Sequence, residues 1–362
     1  MAVARAAGVS PSTVSNAFNR PERLTPALRE RVLRVAAELG YGGPDPAARI
    51  LRRGRAGAIA VILGRLIADA LGDPATVQFL TGVSDATDAQ QLGLVLVPEM
   101  PYRDVPEGPA VRNAAADGLI VFSVPGDDPI IPAVLQRNLP TLIVDSPARS
   151  EIPALSDGRR HTTVDFVTID DVAGAEAAMR HLLELGHRRI GIIAFGLSTR
   201  APAGPADLAH RATATATVTK ARLEGCARAL AAAALDETAA TIVQVPVVTP
   251  DTARAAAHAL LDIAPELTAI FAFSDRLAVA ACSVAQERGL AVPADLSVVG
   301  FDDTAPASAH LTTVHQGHRD KGRLAAERLL QTIDGQPPAT PPTLLPTALI
   351  VRATTGPPPV GS

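Results

Sequence analysis

Val3-Ala-Arg-Ala-Ala-Gly-Val-Ser-Pro-Ser-Thr-Val-Ser-Asn-Ala-Phe-Asn19 contains two short helical patterns parted by Gly8-Val9-Ser10. Ser10 can cap the second helix through its hydroxyl, and Pro11 suits the first helical position, where no amide proton is needed. The second helix is expected over 11–19, with Val14 and Phe18 four residues apart on one face. Small residues around Gly8 let the two helices cross closely, and Val9 and Val14 fasten them. Ser12, Thr13, Ser15, Asn16 and Asn19 are left facing outwards. Short hydroxyls and amides of this kind can enter a major groove and meet base edges and phosphates. The bland alternative is a helical pair with a solvated polar face.

Working outward, Arg20-Pro21 ends that helix and Thr25-Pro26 starts a third. Leu28, Val32, Val35 or Ala36, and Leu39 form its expected buried stripe, and Gly40 stops it. Gly42-Gly43-Pro44-Asp45-Pro46 reads as a linker, followed by one short helix over 47–53. After Gly57 the pattern changes. Apolar, mostly β-branched runs at 59–63, 94–97, 118–122, 141–145, 163–169, 189–194, 241–245, 269–273 and 297–301 alternate with Ala-rich amphipathic stretches such as 171–185 and 275–288. This predicts an α/β fold of doubly wound parallel sheets. The strands divide into two sets, 58–145 and 163–301, so two subdomains are expected. The stretch 197–219 reads as an irregular or mobile insertion, and the tail from Gly356 as disordered.

The chain of 362 residues is 47% hydrophobic and 19% charged, enough to bury a sizeable core. It has no uninterrupted apolar run of about 18 residues and no secretory leader pattern at its start, so a cytoplasmic location is expected. Cys226 and Cys282 lie in Ala-rich helical patterns and read as reduced, buried thiols. The net charge of −4 conceals an asymmetry: residues 1–57 carry ten arginines against four acids, +6, which leaves −10 for the rest. A basic head on an acidic body is the distribution expected when one end approaches phosphates, though a solvated helical surface would also produce it.

Residues 3–63 resemble the DNA-binding head and hinge of the LacI/GalR family of transcription regulators. The residues that carry the likeness are Val3-Ala4, Ala7-Gly8-Val9-Ser10, Ser12-Thr13-Val14-Ser15, Ala37-Glu38-Leu39-Gly40-Tyr41, Ala47-Ala48-Arg49 and Leu51-Arg52. It continues in family order through Asp117-Gly118-Leu119-Ile120, Leu139-Pro140 to Asp145, Leu185-Gly186-His187-Arg188-Arg189-Ile190, Ser274-Asp275, Gly300-Phe301-Asp302-Asp303, Leu311-Thr312-Thr313-Val314 and Val351-Arg352. The resemblance implies a helix-turn-helix head over 1–45, a hinge over 46–57, and a core of periplasmic-binding-protein type over 58–356. Within the core it implies an N-subdomain of 58–145 with 303–332, and a C-subdomain of 146–302 with 333–356. Residues 357–362 would be a disordered tail.

The same resemblance implies a repressor that binds palindromic double-stranded operator DNA as a homodimer under the control of a small, sugar-like effector, with no cofactor, metal or membrane. Pro11, Ser12 and Asn16 would read bases, while Thr13, Ser15 and Asn19 position phosphates. Many members have Arg or His where this chain has Asn16, which can bond adenine bidentately. Leu51 would wedge into the minor groove beside Arg52 and bend the duplex, although it could instead pack on the body. Two departures would weaken operator binding: a start later than usual, and a linker one residue longer.

Ligands of such folds lie at the carboxyl ends of the parallel strands. Strand ends place Asp145, Ser274, Phe301 and Asp302 near the cleft, and the resemblance adds Arg222 and Gln316. Where members often carry an aromatic pair after the first strand, this chain has Asp73-Pro74-Ala75-Thr76. Asp275 reads as the cap of its helix, and His181 and His187 as surface or capping residues. Residues 46–53 are too few for a stable isolated helix, so the hinge should order only with DNA and a partner hinge present. Two rival classes stand beside this reading. A solute-binding protein of the same core fold would not carry residues 1–57. An enzyme would need a phosphate loop, a metal cluster or a nucleophile–base arrangement, and none stands out in the sequence.

Overall fold

The computed structural model describes residues 2–43, 54–98, 109–126, 128–152, 155, 163–198, 201–304 and 309–359. Leu51 and Arg52, and with them most of the expected hinge, lie outside the described residues. The chain divides into two compact units, Met1–Gly57 and Ala58–Ser362.

The first unit is built from α1 (Ala2–Ala6), α2 (Pro11–Asn19) and α3 (Pro26–Glu38). Each boundary has a local cause. Gly8 turns left-handed at φ 63° after α1. There the Val9 amide reaches the Ala4 carbonyl at 2.9 Å and the Gly8 amide the Arg5 carbonyl at 3.2 Å, a Schellman closure. The Ser10 hydroxyl then accepts from the Thr13 amide at 3.1 Å. The Thr25 hydroxyl accepts from the Leu28 amide at 3.4 Å, and Gly40, at φ 64°, closes α3 with the same pair of hydrogen bonds, from the Gly40 amide to the Ala37 carbonyl and from the Tyr41 amide to the Ala36 carbonyl. Val3, Ala4, Ala7, Val14, Ala17, Val32 and Ala36 are buried together. Leu39 corrects the expected stripe: it is 51% exposed, because the helix ends one residue before it.

The second unit holds two sheets. The strands are β1 (Ala58–Leu63), β2 (Gly93–Pro98), β3 (Gly118–Phe122), β4 (Thr141–Val144), β5 (Val164–Ile169), β6 (Ile190–Phe195), β7 (Gly204–Ala206), β8 (Ala240–Val245), β9 (Ala269–Ala272), β10 (Ser297–Asp302), β11 (Thr312–His315), β12 (Thr343–Leu345) and β13 (Ala348–Ile350). One sheet runs β12-β5-β4-β3-β1-β2, and all its pairs are parallel. The other runs β13-β11-β10-β9-β6-β8-β7, parallel except at its two edge strands. The main covering helices are α4 (Pro74–Ala89), α5 (Ile130–Gln136), α6 (Asp171–Glu184), α7 (Thr217–Ala232), α8 (Pro250–Ile263), α9 (Asp275–Glu287) and α10 (His318–Ile333).

The expected partition of strands needs correction. The run at 163–169 belongs to the first sheet: Thr141 of β4 faces Val164 of β5. Residues 343–345 also join the first sheet, and 312–315 join the second. Apolar periodicity shows that a strand exists but not which neighbour it pairs with. The chain therefore crosses between the sheets after β5, after β11 and between β12 and β13.

Two other expectations are corrected. Part of the stretch 197–219 is ordered as β7, paired antiparallel with β8, and as the start of α7. Gly356 is pinned, not disordered: its amide donates to the Ser297 hydroxyl at 3.0 Å, and its carbonyl lies 2.9 Å from His187 Nε2. His187 is accordingly buried, with Nδ1 2.8 Å from the Thr268 hydroxyl, and is not a surface residue. Burial holds its pKa below the usual value. Both cysteines are free thiols: Cys226 is buried and Cys282 half-buried, its pKa pushed up to about 11 by burial.

Candidate functional site

On the head, α2 carries the outward row. Pro11 and Ser12 are exposed, while Thr13, Ser15, Asn16 and Asn19 are half-buried. The Ser10 hydroxyl lies 2.7 Å from that of Ser12 and 2.8 Å from that of Thr13. These two side chains are thereby held at the helix start, where amide protons also point outwards. Asn19 folds back, its amide donating to the Ser15 carbonyl at 2.9 Å. Asn16 makes no side-chain hydrogen bond among the described residues, so its amide keeps both donor and acceptor free.

In the second unit, the carboxyl ends of β1, β3, β4, β6, β8 and β10 open onto one cleft of about 230 Å³. Asp145, Arg222, Ser274, Asp302 and Gln316 all line it. Phe301 does not. It is fully buried behind the wall, with the Arg222 guanidinium carbon 3.6 Å from its ring centroid. Consecutive strand residues point to opposite faces, so Asp302 and Phe301 cannot both face the cleft.

The floor of the cleft is a hydrogen-bonded chain. Lys321 of α10 is fully buried; its Nζ donates to Asp145 Oδ2 at 2.6 Å and to Gln316 Oε1 at 2.9 Å. The Gln316 amide donates to Asp302 Oδ1 at 2.6 Å, and Asp302 Oδ2 accepts from the Asp275 amide at 3.2 Å. Asp145 sits at φ 63°, a left-handed backbone seldom adopted outside glycine, which turns the chain at the end of β4. His318 Nε2 lies 3.3 Å from Asp302 Oδ1. Burial, and then the Lys321 ammonium, push the His318 pKa down to about 3, so the ring is neutral.

A second buried ion pair braces the other wall. Arg222 Nε donates to Asp171 Oδ1 at 2.8 Å, and its Nη1 donates to the Phe273 carbonyl. Burial pushes the Asp171 pKa up, and Arg222 opposes that shift. Ser274 is the true cap of α9, accepting from the Leu277 amide at 3.2 Å. Asp275, expected as that cap, is instead buried one residue inside the helix. It takes the Thr313 hydroxyl at 2.5 Å and the Thr304 amide at 2.8 Å.

Desolvation pushes Asp275 and Asp302 each up to about 7. A carboxyl raised in the folded state holds a proton that the unfolded chain has already lost. Its contribution to stability therefore falls as pH climbs from the unfolded value near 4 to about 7. The variant Asp302→Asn lacks its own titration and relieves Asp275. Between about pH 5 and pH 8 its melting temperature should fall less than that of the parent chain. A parallel decline in the two proteins would contradict this assignment.

Sequence reading missed Asp73, Asp171, His318 and Lys321. Asp73 caps α4 and binds Arg65 at 3.1 Å and the Thr76 hydroxyl at 3.1 Å. Lys321 did carry a signal: it is one of only two lysines in a chain that otherwise uses arginine. A compact ammonium fits where a planar guanidinium fork would not.

Both units of the chain are similar to known proteins. The model of bacterial regulatory proteins of the lacI family matches residues 2–43, and the periplasmic binding protein-like domain matches 179–355. The HTH-type transcriptional regulator IpsA of Corynebacterium glutamicum is 37% identical, over 92% of this chain and 90% of its own length. A transcriptional regulator CelR–cellobiose complex is similar at 29% identity and TM-score 0.66, covering 97% of this chain and 98% of that one. The lac repressor dimer bound to operator and the anti-inducer ONPF is similar at 26% identity and TM-score 0.70, covering 98% of both. With matched head, matched body and a relative along nearly its whole length, the chain belongs to the lacI family of bacterial regulatory proteins, which are DNA-binding regulators of transcription.

Proposed function

We propose that this regulator is a repressor that binds a palindromic operator as a homodimer and is controlled by a small, sugar-like effector held in the cleft. The observation that carries the reading is the pairing, in one chain, of the capped α2 with its outward Asn16 and the carboxylate- and amide-lined cleft. The lac repressor bound to operator and the CelR–cellobiose complex, similar along nearly the whole chain, support both halves. Pro11, Ser12 and Asn16 would read bases, and Thr13, Ser15 and Asn19 would position phosphates. The proposed minor-groove contacts of Leu51 and Arg52 rest on sequence alone. Asp145, Ser274, Asp302 and Gln316 would hold the effector, with Arg222 bracing the wall. Ligand binding would change cleft closure and so bias the populations of DNA-competent and DNA-incompetent states.

Asn16→Ala removes the amide without touching the buried face of α2. It is expected to cost about 1–3 kcal/mol of operator affinity, the worth of a bidentate base contact, and little of the non-specific affinity. Fluorescence anisotropy on a bound promoter fragment and a scrambled duplex checks this. Equal losses on both duplexes would assign Asn16 to phosphate positioning instead.

The reading as binder and not enzyme, acting in the cytoplasm where the operator is, rests on the relatives being regulators. No helix among the described residues is long and apolar enough to cross a membrane. A ligand incubated with the protein should be recovered chemically unchanged. Stoichiometric conversion on repeated addition would contradict the non-enzymatic reading.

A further inference from the structure

The two sheet-bearing halves of the second unit are joined by the three crossovers of the chain, and they also touch beside the cleft. There Ser146, just past the end of β4, faces Thr217, the first residue of α7. The Ser146 hydroxyl donates to the Thr217 hydroxyl at 3.2 Å. The Thr217 hydroxyl donates in turn to Glu151 Oε2, which also accepts from the Ala148 amide at 3.1 Å. Every proton of this relay is directed toward the Glu151 carboxylate. Hydrogen bonds aligned on a charged acceptor polarise one another and are stronger than neutral ones.

Each end of the relay is built into its own wall. On the first-sheet side, the Asp145 amide donates to the Val167 carbonyl at 3.0 Å and the Glu151 amide to the Ala148 carbonyl at 2.9 Å. Gly126 backs Glu151. A Cβ there would lie 3.2 Å from Pro147 Cβ and 3.3 Å from Glu151 Cβ, so a side chain would press the carboxylate out of place. On the second-sheet side, the Thr215 and Ala216 amides both donate to the Leu197 carbonyl, at 2.9 and 3.1 Å. The Thr219 hydroxyl donates to the Gly196 carbonyl at 3.1 Å. These bonds fix the start of α7 to the end of β6. Ser146 and Thr217 line the cleft from its two halves.

We propose that Ser146, Thr217 and Glu151 form a clasp that holds the two halves together in the ligand-free chain, with Thr217 as the positioning residue that ties α7 to the first sheet. The clasp sets the resting closure of the cleft, and anything that parts the walls must release it. The populations of DNA-competent and DNA-incompetent states are therefore biased by the clasp before any ligand arrives. This inference rests on reading the cleft as the regulatory site, and it is independent of which ligand fills it.

The test uses the full, ligand-free chain and three variants. Thr217→Val removes the hydroxyl at nearly constant volume, and Thr217→Ser keeps it. Gly126→Val displaces Glu151 while leaving every polar group of the relay in the chain. Hydrogen exchange read by mass spectrometry reports local opening. Amides within 145–151 and 215–219 should exchange about three- to tenfold faster in Thr217→Val and Gly126→Val, the worth of one net hydrogen bond. Thr217→Ser should exchange as the parent chain does, and the β3 amides should be unchanged in all three. Operator affinity, measured without ligand, should shift by at least about threefold in Thr217→Val and return in Thr217→Ser. Parental exchange at both segments in Thr217→Val, equal acceleration of β3, or Thr217→Ser behaving as Thr217→Val would each overturn the clasp. Faster exchange with unchanged operator affinity would overturn its hold on the DNA-binding states. Should Gly126→Val not fold, the two Thr217 variants decide alone. A parent chain that binds no operator contradicts the regulatory reading, and exchange alone then decides the clasp.

Discussion

Lys321→Met is expected to destabilise the second unit by about 3–5 kcal/mol, the range for removing one partner of a buried ion pair. Methionine replaces most of the stem, so little volume is lost and the effect isolates the ammonium. Nζ is the donor for Asp145 Oδ2 at 2.6 Å and for Gln316 Oε1 at 2.9 Å. Its loss leaves Asp145 with no partner on either carboxyl oxygen among the described residues, since Oδ1 has none there already. It also frees Gln316, which positions Asp302 on the opposite sheet. Urea unfolding monitored by circular dichroism gives the value. A loss under about 1 kcal/mol would show that water reaches the site and that the pair is not desolvated.

The second large effect is steric. Helices α4 and α10 cross at two glycines. A Cβ on Gly82 would overlap the Arg319 carbonyl, and one on Gly322 would overlap the Phe79 carbonyl. Backbone cannot yield as a flexible side chain can. The helices would have to part, and Phe79, stacked on Phe122 at 3.9 Å, would be drawn out of register. Gly322→Val should therefore cost at least about 3 kcal/mol, the upper end of overpacking penalties, or abolish folding. Gly72→Ala is the control. Its backbone is right-handed at φ −79°, and a methyl there meets neighbours no closer than 3.4 Å, so the melting temperature should barely move. If Gly322→Val melts with the parent chain, the close crossing is wrong.

The two predictions sit at different depths of sequence legibility. The head could be read in detail because its determinants are local. Ser10, Pro11, Thr25, Pro26, Gly8 and Gly40 act on amides within one turn, and each is found in its expected role. The alternation of apolar runs with amphipathic helices likewise implied parallel sheets. What stayed hidden is non-local. β5 joins the first sheet through partners that no periodicity encodes. Phe301 is one residue from Asp302, and only the strand pleat decides which of them meets the cleft. Asp275 and Ser274 are neighbours of similar capping power, and the buried Thr313 hydroxyl draws Asp275 inward while Ser274 takes the cap. Lys321, His318 and Asp145 meet only because the chain returns to the first sheet after β11. That return brings Lys321 and Asp145, 176 positions apart, to 2.6 Å.

One measurement bears most directly on the proposal that two copies of the head grip a symmetric duplex. Sheared genomic DNA is passed over the purified, ligand-free chain near physiological salt, and the retained fragments are sequenced. The account predicts strong enrichment of a short motif with two-fold symmetry, its half-sites about one helical turn apart. Retained DNA that matches the input in sequence, at every salt concentration, would contradict it.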